Sequence, residues 1–156
     1  MTIARTLQQY LEAQGVDYEV LRHAQTSTAS RTAQESHISG NAIAKGVVVK
    51  HDAGYVLAVL PASHHINFKA LSDQLHRSVE LASEEDTGKL FDDCDLGAVP
   101  PVGTAYGVDV IVDDSLQSLE DVYFEGGDHS CLLHITGKQF GKMMNSARFG
   151  HFSRHD

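Results

Sequence analysis

The chain lacks several features that mark familiar classes of protein. It has no tryptophan, and its two cysteines, Cys94 and Cys131, are too few for the disulfide framework of a small secreted domain. Cys131 lies in an apolar stretch and Cys94 lies among aspartates, which disfavour a reactive thiolate. No apolar run approaches the roughly 20 residues that span a bilayer, and no apolar signal segment opens the sequence. We therefore expect no membrane association and a cytoplasmic location.

The motifs of well-known catalytic and metal sites are missing as well. The sequence has no GxSxG nucleophile motif, no Walker phosphate loop, no dinucleotide fingerprint and no HExxH motif. Its ten histidines form no metal-ligand pattern: the adjacent His64 and His65 point apart in an extended chain. His129 and His134 are also expected on opposite faces of one strand. We therefore predict neither a metal nor a cofactor.

Basic residues are scarce, with 12 Lys and Arg against 21 Asp and Glu. Residues 80–128 hold fourteen of the acidic residues and one basic residue, Lys89. This balance argues against a wide electrostatic grip on nucleic acid, although a local basic rim would suffice to hold one end of an RNA. The C-terminal part supplies the candidates for such a rim: Lys138, Lys142, Arg148 and Arg154. Charge that serves only solubility is the plainer interpretation.

Size and apolar periodicity predict one α+β domain over residues 1–156. The spacing predicts helices near 3–11, 30–36, 67–75, 83–90 and 137–144, and strands near 17–21, 45–51, 55–60, 79–82, 108–112, 121–124 and 130–136. Asp52–Gly54 suits a hairpin turn between the second and third of these strands.

Three elements carry the polar groups best suited to a ligand. Lys45 opens an apolar strand, where its ammonium would act as a point charge for a phosphate or carboxyl oxygen. The glycine–proline loop (97–103) has two prolines that fix φ, so it can hold backbone N–H groups in place for an ester oxygen. The histidine turn (126–129) places His129 at the mouth of a strand, within reach of a substrate.

Each of these elements also has a plainer interpretation. Lys45 can be an exposed lysine at a strand end, the glycine–proline loop a connector, and the histidine turn an ordinary hairpin turn. The residues alone leave both interpretations open. Together they outline a site that binds an anionic group and has little acid–base machinery of its own.

In this order along the chain, the elements resemble the YbaK/ProX family of aminoacyl-tRNA deacylases, relatives of the editing domain inserted in bacterial prolyl-tRNA synthetases. The resemblance, from about His23 to Met144, rests on His23 with Thr32–Glu35, on Ile43–Lys45, on Val56–Pro61, on the Gly-x-x-x-Pro motif of Gly97–Pro101 and on Gly127–His129. The last element is similar to the Gly-x-His of the alanine-editing branch. The chain departs from that branch at Ser130, where proline is usual, and at Leu132–Ile135, where a run with asparagine is usual.

The resemblance implies an α+β fold with a mixed, mostly antiparallel, barrel-like sheet core flanked by helices. It also implies a trans-editing hydrolase that cleaves the aminoacyl ester at the tRNA 3′ end, using a positioned water and the substrate's own ribose hydroxyl. Lys45 and His129 would be catalytic, and the substrate would be bound by Gly97, Ala98, Val99, Pro100, Pro101, Gly103, Gly127 and Asp128. The alternatives are a non-catalytic module that binds tRNA or a synthetase, and a general hydrolase of small esters.

Overall fold

The computed structural model describes residues 3–22, 33 and 38–156. The described residues form the helices α1 (Arg5–Ala13), α2 (Phe68–Leu75), α3 (Glu84–Leu90) and α4 (Gly137–Met143). The strands are β1 (Glu19–Arg22), β2 (Ala44–His51), β3 (Gly54–Pro61), β4 (His64–Ile66), β5 (Glu80–Leu81), β6 (Asp109–Asp113), β7 (Asp121–Glu125), β8 (Cys131–Thr136), β9 (Arg148–Gly150) and β10 (Ser153–His155). The expected helix over 30–36, and the motif residues His23, Thr32, Gln34 and Glu35, lie outside the described residues.

The strands form three sheets. The largest has the order β5-β2-β3-β6-β9, with antiparallel pairs on the β2 side and parallel pairs at β3–β6 and β6–β9. A second antiparallel sheet has the order β1-β8-β7, and β4 pairs with β10 in a two-stranded ribbon. The α+β class and the mostly antiparallel pairing are confirmed.

The expected barrel-like closure is wrong for the described part of the chain. A closed barrel needs every strand to have two hydrogen-bonded neighbours. Here the largest sheet ends at β5 and β9, strands of two and three residues that pair on one side only. A single parallel bridge between Ile43 and Tyr123 links this sheet to the β1-β8-β7 sheet.

Local signals account for the element boundaries, which differ from the predicted ones by at most two residues. The Ser83 hydroxyl accepts the N–H of Asp86 at 3.1 Å at the start of α3, and the Thr136 hydroxyl does the same for Gln139 at the start of α4. His51 pairs with Gly54, so the predicted hairpin between β2 and β3 forms, with a turn of two residues instead of the three expected over Asp52–Gly54. The sequence patterns did not predict β4, β9 or β10. Within the described ranges, no helix has the length and apolar character needed to cross a bilayer.

β2 separates two hydrophobic clusters. Ala44 and Val48 face the larger cluster, which contains α1, β7, β8 and α4 side chains such as Leu7 and Phe124. Val49 faces the second cluster, which packs β3 and β6 side chains against α2. Since successive strand residues point to opposite faces, Lys45 belongs to the face of Val49.

His134 on β8 connects the three strands of its sheet. Its Nδ1 lies 2.5 Å from Glu19 Oε1 on β1, and its Nε2 lies 2.7 Å from Asp121 Oδ1 on β7. The ring stacks on Tyr123 with the centroids 4.6 Å apart. Partial burial alone would lower the pKa of His134, but the hydrogen bonds to Asp121 and Glu19 outweigh burial and raise the pKa. The charged imidazolium is therefore the form that stabilises this sheet.

We expect stability to depend on pH through His134. Its folded-state pKa lies above the unfolded value of about 6.5, so its stabilisation is fully present below that value and is lost as pH rises through the folded-state pKa. Urea unfolding should give a free energy that falls over this range in the wild type and a flatter profile in His134→Gln. His76→Asn is the control, because His76 is exposed and asparagine tolerates its left-handed φ of 57°. An equally steep profile in His134→Gln would contradict the assignment.

Candidate functional site

The residues that lead into the glycine–proline loop contact the histidine turn. The N–H of Asp95 donates to the carbonyl of Gly127 at 2.7 Å, and His129 Nε2 donates to the carbonyl of Leu96. The start of α1 closes the same corner, since the N–H of Ala4 donates to the carbonyl of Gly126 at 2.8 Å. Asp95 and Leu96 directly precede the glycine–proline loop, so the chain enters that loop beside the histidine turn.

His129 presents an acceptor at this corner. The residue is 8% exposed, and its φ of 63° lies in the left-handed region that histidine enters rarely. With Nε2–H donating to the Leu96 carbonyl, the neutral ring keeps its lone pair on Nδ1. Nδ1 is buried and has no hydrogen-bond partner within the part of the chain that the structure describes. Such an orphaned acceptor is rare in folded proteins unless a ligand or water supplies the donor.

Asp128 offers a second acceptor beside it. Its Oδ1 accepts the N–H of Ser130 at 3.1 Å and the thiol of Cys131 at 3.4 Å. Burial alone would raise the pKa of Asp128, but these hydrogen bonds outweigh burial and lower the pKa, so the carboxylate is charged at neutral pH. Oδ2 is buried and has no partner among the described residues. A cationic group entering the corner would find this oxygen ready to accept a hydrogen bond.

Lys45 is held in place by backbone carbonyls. Its Nζ donates to the carbonyl of His64 at 2.6 Å and to that of Ala62 at 3.4 Å. Burial lowers the pKa of Lys45, and the charge of Asp156 acts in the opposite direction. Among the described residues, two carbonyls engage two of the three ammonium hydrogens, which leaves one for a ligand.

Lys45 and the glycine–proline loop occupy opposite faces of β2. A Cβ placed on Gly46 would lie 3.4 Å from the carbonyl oxygen of Pro100, so the loop packs directly on the strand beside Lys45. The Lys45 side chain points the other way, because neighbouring strand residues alternate. Ile43 bridges to Tyr123 on β7, the strand that leads into the histidine turn. The start of β2 thus carries the glycine–proline loop on one face and the Lys45 ammonium on the other.

Few backbone donors of the loop remain available to a substrate. Pro100 and Pro101 have no N–H, and the N–H of Ala98 already donates to the carbonyl of Asp95 at 3.1 Å. In the part of the loop before the prolines, that leaves the N–H groups of Gly97 and Val99 as candidates for an ester oxygen. Gly103 has a packing reason to be glycine, since a Cβ there would lie 2.7 Å from the carbonyl oxygen of Val108.

The sequence reasoning missed His64, the first residue of β4. Its carbonyl holds Lys45, its Nδ1 lies 2.8 Å from Ser153 Oγ, and its ring meets His155 edge-on with centroids 5.4 Å apart. The β4–β10 ribbon therefore forms the wall beside the lysine. The only local signal was the position of His64 directly after a strongly apolar strand.

The titratable groups elsewhere have structural roles. Burial raises the pKa of both Cys94 and Cys131 to about 12, which fits the prediction that neither is a nucleophile. Asp113, Asp114 and His151 bring their ligand atoms within 4.8 Å of one another, a grouping suited to a metal that sequence reasoning did not find. The Asp113 oxygens already accept the N–H groups of Phe152 and Ser115 at 3.0 and 3.2 Å, so this carboxylate joins β6 to the segment before β10.

Comparison with known proteins identifies the family. The model of the aminoacyl-tRNA editing domain family matches residues 23–143, a range that includes Lys45, the glycine–proline loop and the histidine turn. The chain belongs to this family. Among the curated proteins, none matches this chain.

Solved structures share the fold of this editing domain. A hypothetical protein superposes with a TM-score of 0.85 at 24% identity, over 96% of this chain and 100% of that chain. A candidate trans-editing enzyme for prolyl tRNA synthetase gives a TM-score of 0.84 at 23% identity, over 97% of this chain and 96% of that chain. A candidate signal transduction protein from Marinobacter aquaeolei gives 0.78 at 19% identity, with 95% of this chain covering 30% of that chain. At these identities the likeness shows the fold alone.

Gly127 gives a test of the corner itself. Its φ of 112° is unfavourable for any side chain, and a Cβ would lie 2.8 Å from the Cβ of Ala4. We expect Gly127→Ala to lower the free energy of unfolding by about 1–3 kcal/mol, measured by urea denaturation. Gly141→Ala on α4 is the control, since nothing lies within 4 Å of its Cβ position and alanine favours a helix by about 1 kcal/mol. Equal stability in the two variants would show that Gly127 is not closely packed against Ala4.

Proposed function

We propose that this protein is a trans-editing hydrolase that removes a wrong amino acid from tRNA in the cytoplasm by cleaving the ester at the 3′-terminal ribose. Membership of the aminoacyl-tRNA editing domain family supports the substrate class. The observation that carries the assignment of the site is the contact of the histidine turn with Asp95 and Leu96, the residues that lead into the glycine–proline loop. That corner holds two buried acceptors, His129 Nδ1 and Asp128 Oδ2, for which the described residues supply no donor.

The proposed roles follow from the charges of an aminoacyl-tRNA end. Asp128 accepts a hydrogen bond from the α-ammonium group of the amino acid, and His129 Nδ1 accepts one from a ribose hydroxyl. The N–H groups of Gly97 and Val99 face the ester carbonyl, where negative charge develops during attack. Lys45 binds the phosphate of the terminal nucleotide with its remaining ammonium hydrogen.

The chemistry requires little from the protein beyond positioning. A water attacks the ester carbonyl carbon, the bond to the ribose oxygen breaks, and the water's proton passes to that oxygen with help from the neighbouring ribose hydroxyl. The products are the free amino acid and uncharged tRNA. An aminoacyl ester is already activated, so correct placement of the water and stabilisation of the oxyanion supply much of the acceleration.

The charge on Lys45 is the first thing to test. We expect Lys45→Met to lower kcat/KM for deacylation of the preferred mischarged tRNA by about 100-fold, because a preorganised charge contact is lost. A screen of aminoacyl-tRNAs, each followed by release of the amino acid, identifies that substrate. Lys50→Met is the matched control: Lys50 lies on the same strand but pairs with Glu80 at 3.3 Å on the surface. Full activity in Lys45→Met would remove the lysine from the site.

A non-catalytic binding module is the second candidate, and the acidity of residues 80–128 favours it as a docking surface for a basic protein. Recovery of a synthetase in a pull-down, with no turnover of any aminoacyl-tRNA in the same screen, would establish that function instead. Turnover of simple aminoacyl esters at the same rate as aminoacyl-tRNA would indicate a general esterase.

We further propose that Arg154 contacts the tRNA backbone. Arg154 is the one of the four C-terminal basic residues that lies on β10, where it pairs with His65 of β4. The residue before His65, His64, holds Lys45 through its carbonyl. Lys138 and Lys142 lie on α4 and Arg148 lies on β9.

Charge reversal tests this contact. Arg154→Glu should raise KM for tRNA more than it lowers kcat, and the effect should shrink at high salt, because a phosphate contact acts mainly on binding. Lys89→Glu on the exposed surface of α3 is the control. An unchanged KM at low salt would count against a tRNA contact at this position.

A further inference from the structure

A cavity lies in the largest sheet at the end away from Lys45. Its volume is about 280 Å³, and Val56, Leu75 and Ile111 form its apolar floor. Asp109, Ser146 and Arg148 line it with polar groups. Val56 and Leu60, the partner of Lys45, are four residues apart on β3, so the cavity lies roughly 13 Å along the strand from Lys45. It is therefore separate from the candidate site.

The two charges of this cavity are not paired with each other. Asp109 and Ile111 share one face of β6, and Arg148 lies beside Ile111 on β9. This register puts the Cα atoms of Asp109 and Arg148 about 8 Å apart on a diagonal. The described residues supply no ion pair or hydrogen bond to the Asp109 carboxylate. The Arg148 guanidinium donates one N–H to the carbonyl of Gln74 at 3.1 Å, and within the described ranges its other N–H groups have no acceptor.

We propose that this cavity binds a small zwitterion, a free α-amino acid with an aliphatic side chain. Its carboxylate would pair with Arg148, its ammonium group with Asp109, and its side chain would cover the floor of Val56, Leu75 and Ile111. The volume lies just below the range of roughly 300–1,000 Å³ found for drug-sized ligands, which suits a smaller molecule. The Asp109 carboxylate disfavours a phosphate, and the lining residues include no aromatic ring on which a nucleobase would stack.

The experiment is an NMR titration of the whole protein with L-valine, isobutylamine and isovalerate, followed through backbone amide shifts. Isobutylamine lacks the carboxylate of valine and isovalerate lacks its ammonium group. We expect saturable shifts around the cavity with L-valine, at a dissociation constant of about 1 mM. Each analogue should bind about tenfold more weakly, since each loses one charged hydrogen-bond partner. Absence of saturable shifts with valine, or equal affinities for all three, would overturn the proposal.

Variants locate the binding. Arg148→Gln and Asp109→Asn should each weaken L-valine binding about tenfold, whereas Arg154→Gln, on a different strand, should leave it unchanged. Thermal unfolding checks that each variant is folded. Wild-type affinity in both cavity variants would place the ligand elsewhere and overturn the proposal. The inference does not rest on the proposed deacylase activity, and because the titration measures no turnover, either can fail without the other.

Discussion

The two-faced arrangement of β2 determines where every part of the candidate site lies. Gly46 lets the glycine–proline loop pack onto one face of the strand, while Lys45 reaches the carbonyls of Ala62 and His64 on the other. A side chain at position 46 would push against Pro100 and also against Leu57, whose Cδ1 lies 3.0 Å from the Cβ position. Gly46 has no side chain, so the loop packs closely on this face of the strand while the Lys45 side chain leaves from the other face.

Several aspartates of the acidic excess connect parts of the fold. Asp113 is fully buried and bonded to backbone N–H groups, Asp121 holds His134, and Asp86 accepts the hydroxyl of Tyr55 at 2.9 Å. Asp93 accepts the N–H of Thr6 at 2.9 Å at the start of α1. These carboxylates join elements that are distant in sequence. The net charge of −9 is therefore partly a consequence of how the fold is held together, which is compatible with a protein that binds only one end of a polyanion.

Local chemistry was enough to predict most of the fold. Caps at Ser83 and Thr136, the turn before Gly54 and the apolar runs of β2 and β3 are encoded within a few residues of where they act. The ribbon of β4 and β10 was not predictable in this way, because its three-residue strands are polar and its partners, such as His64 and Ser153, are 89 residues apart. Whether the strands close into a barrel likewise depends on which edges of the sheets pair, and no local sequence pattern indicates that pairing.

The candidate site was likewise predictable only in part. Lys45, the glycine–proline loop and the histidine turn were recognisable from residue type and order, and the turn contacts Asp95 and Leu96, which lead into the loop. What sequence could not supply is the orientation of the groups. The donation from His129 to Leu96 determines which ring nitrogen stays free, and the carbonyls at the β3–β4 corner determine where the ammonium points. Both orientations depend on backbone carbonyls, which every residue has, so the pattern of side chains along the sequence does not predict them.

Anchoring Lys45 on carbonyls of the β3–β4 corner has an energetic consequence. A long flexible cation normally loses rotamer freedom when it captures an anion, but here folding has already immobilised it, so a ligand meets a preorganised charge. The ammonium is held rigidly because β10 pairs with β4, the strand whose His64 carbonyl accepts its hydrogen bond. Fraying of β10 would therefore weaken the proposed binding of an anion by Lys45 at a distance, without altering any atom that touches the ligand.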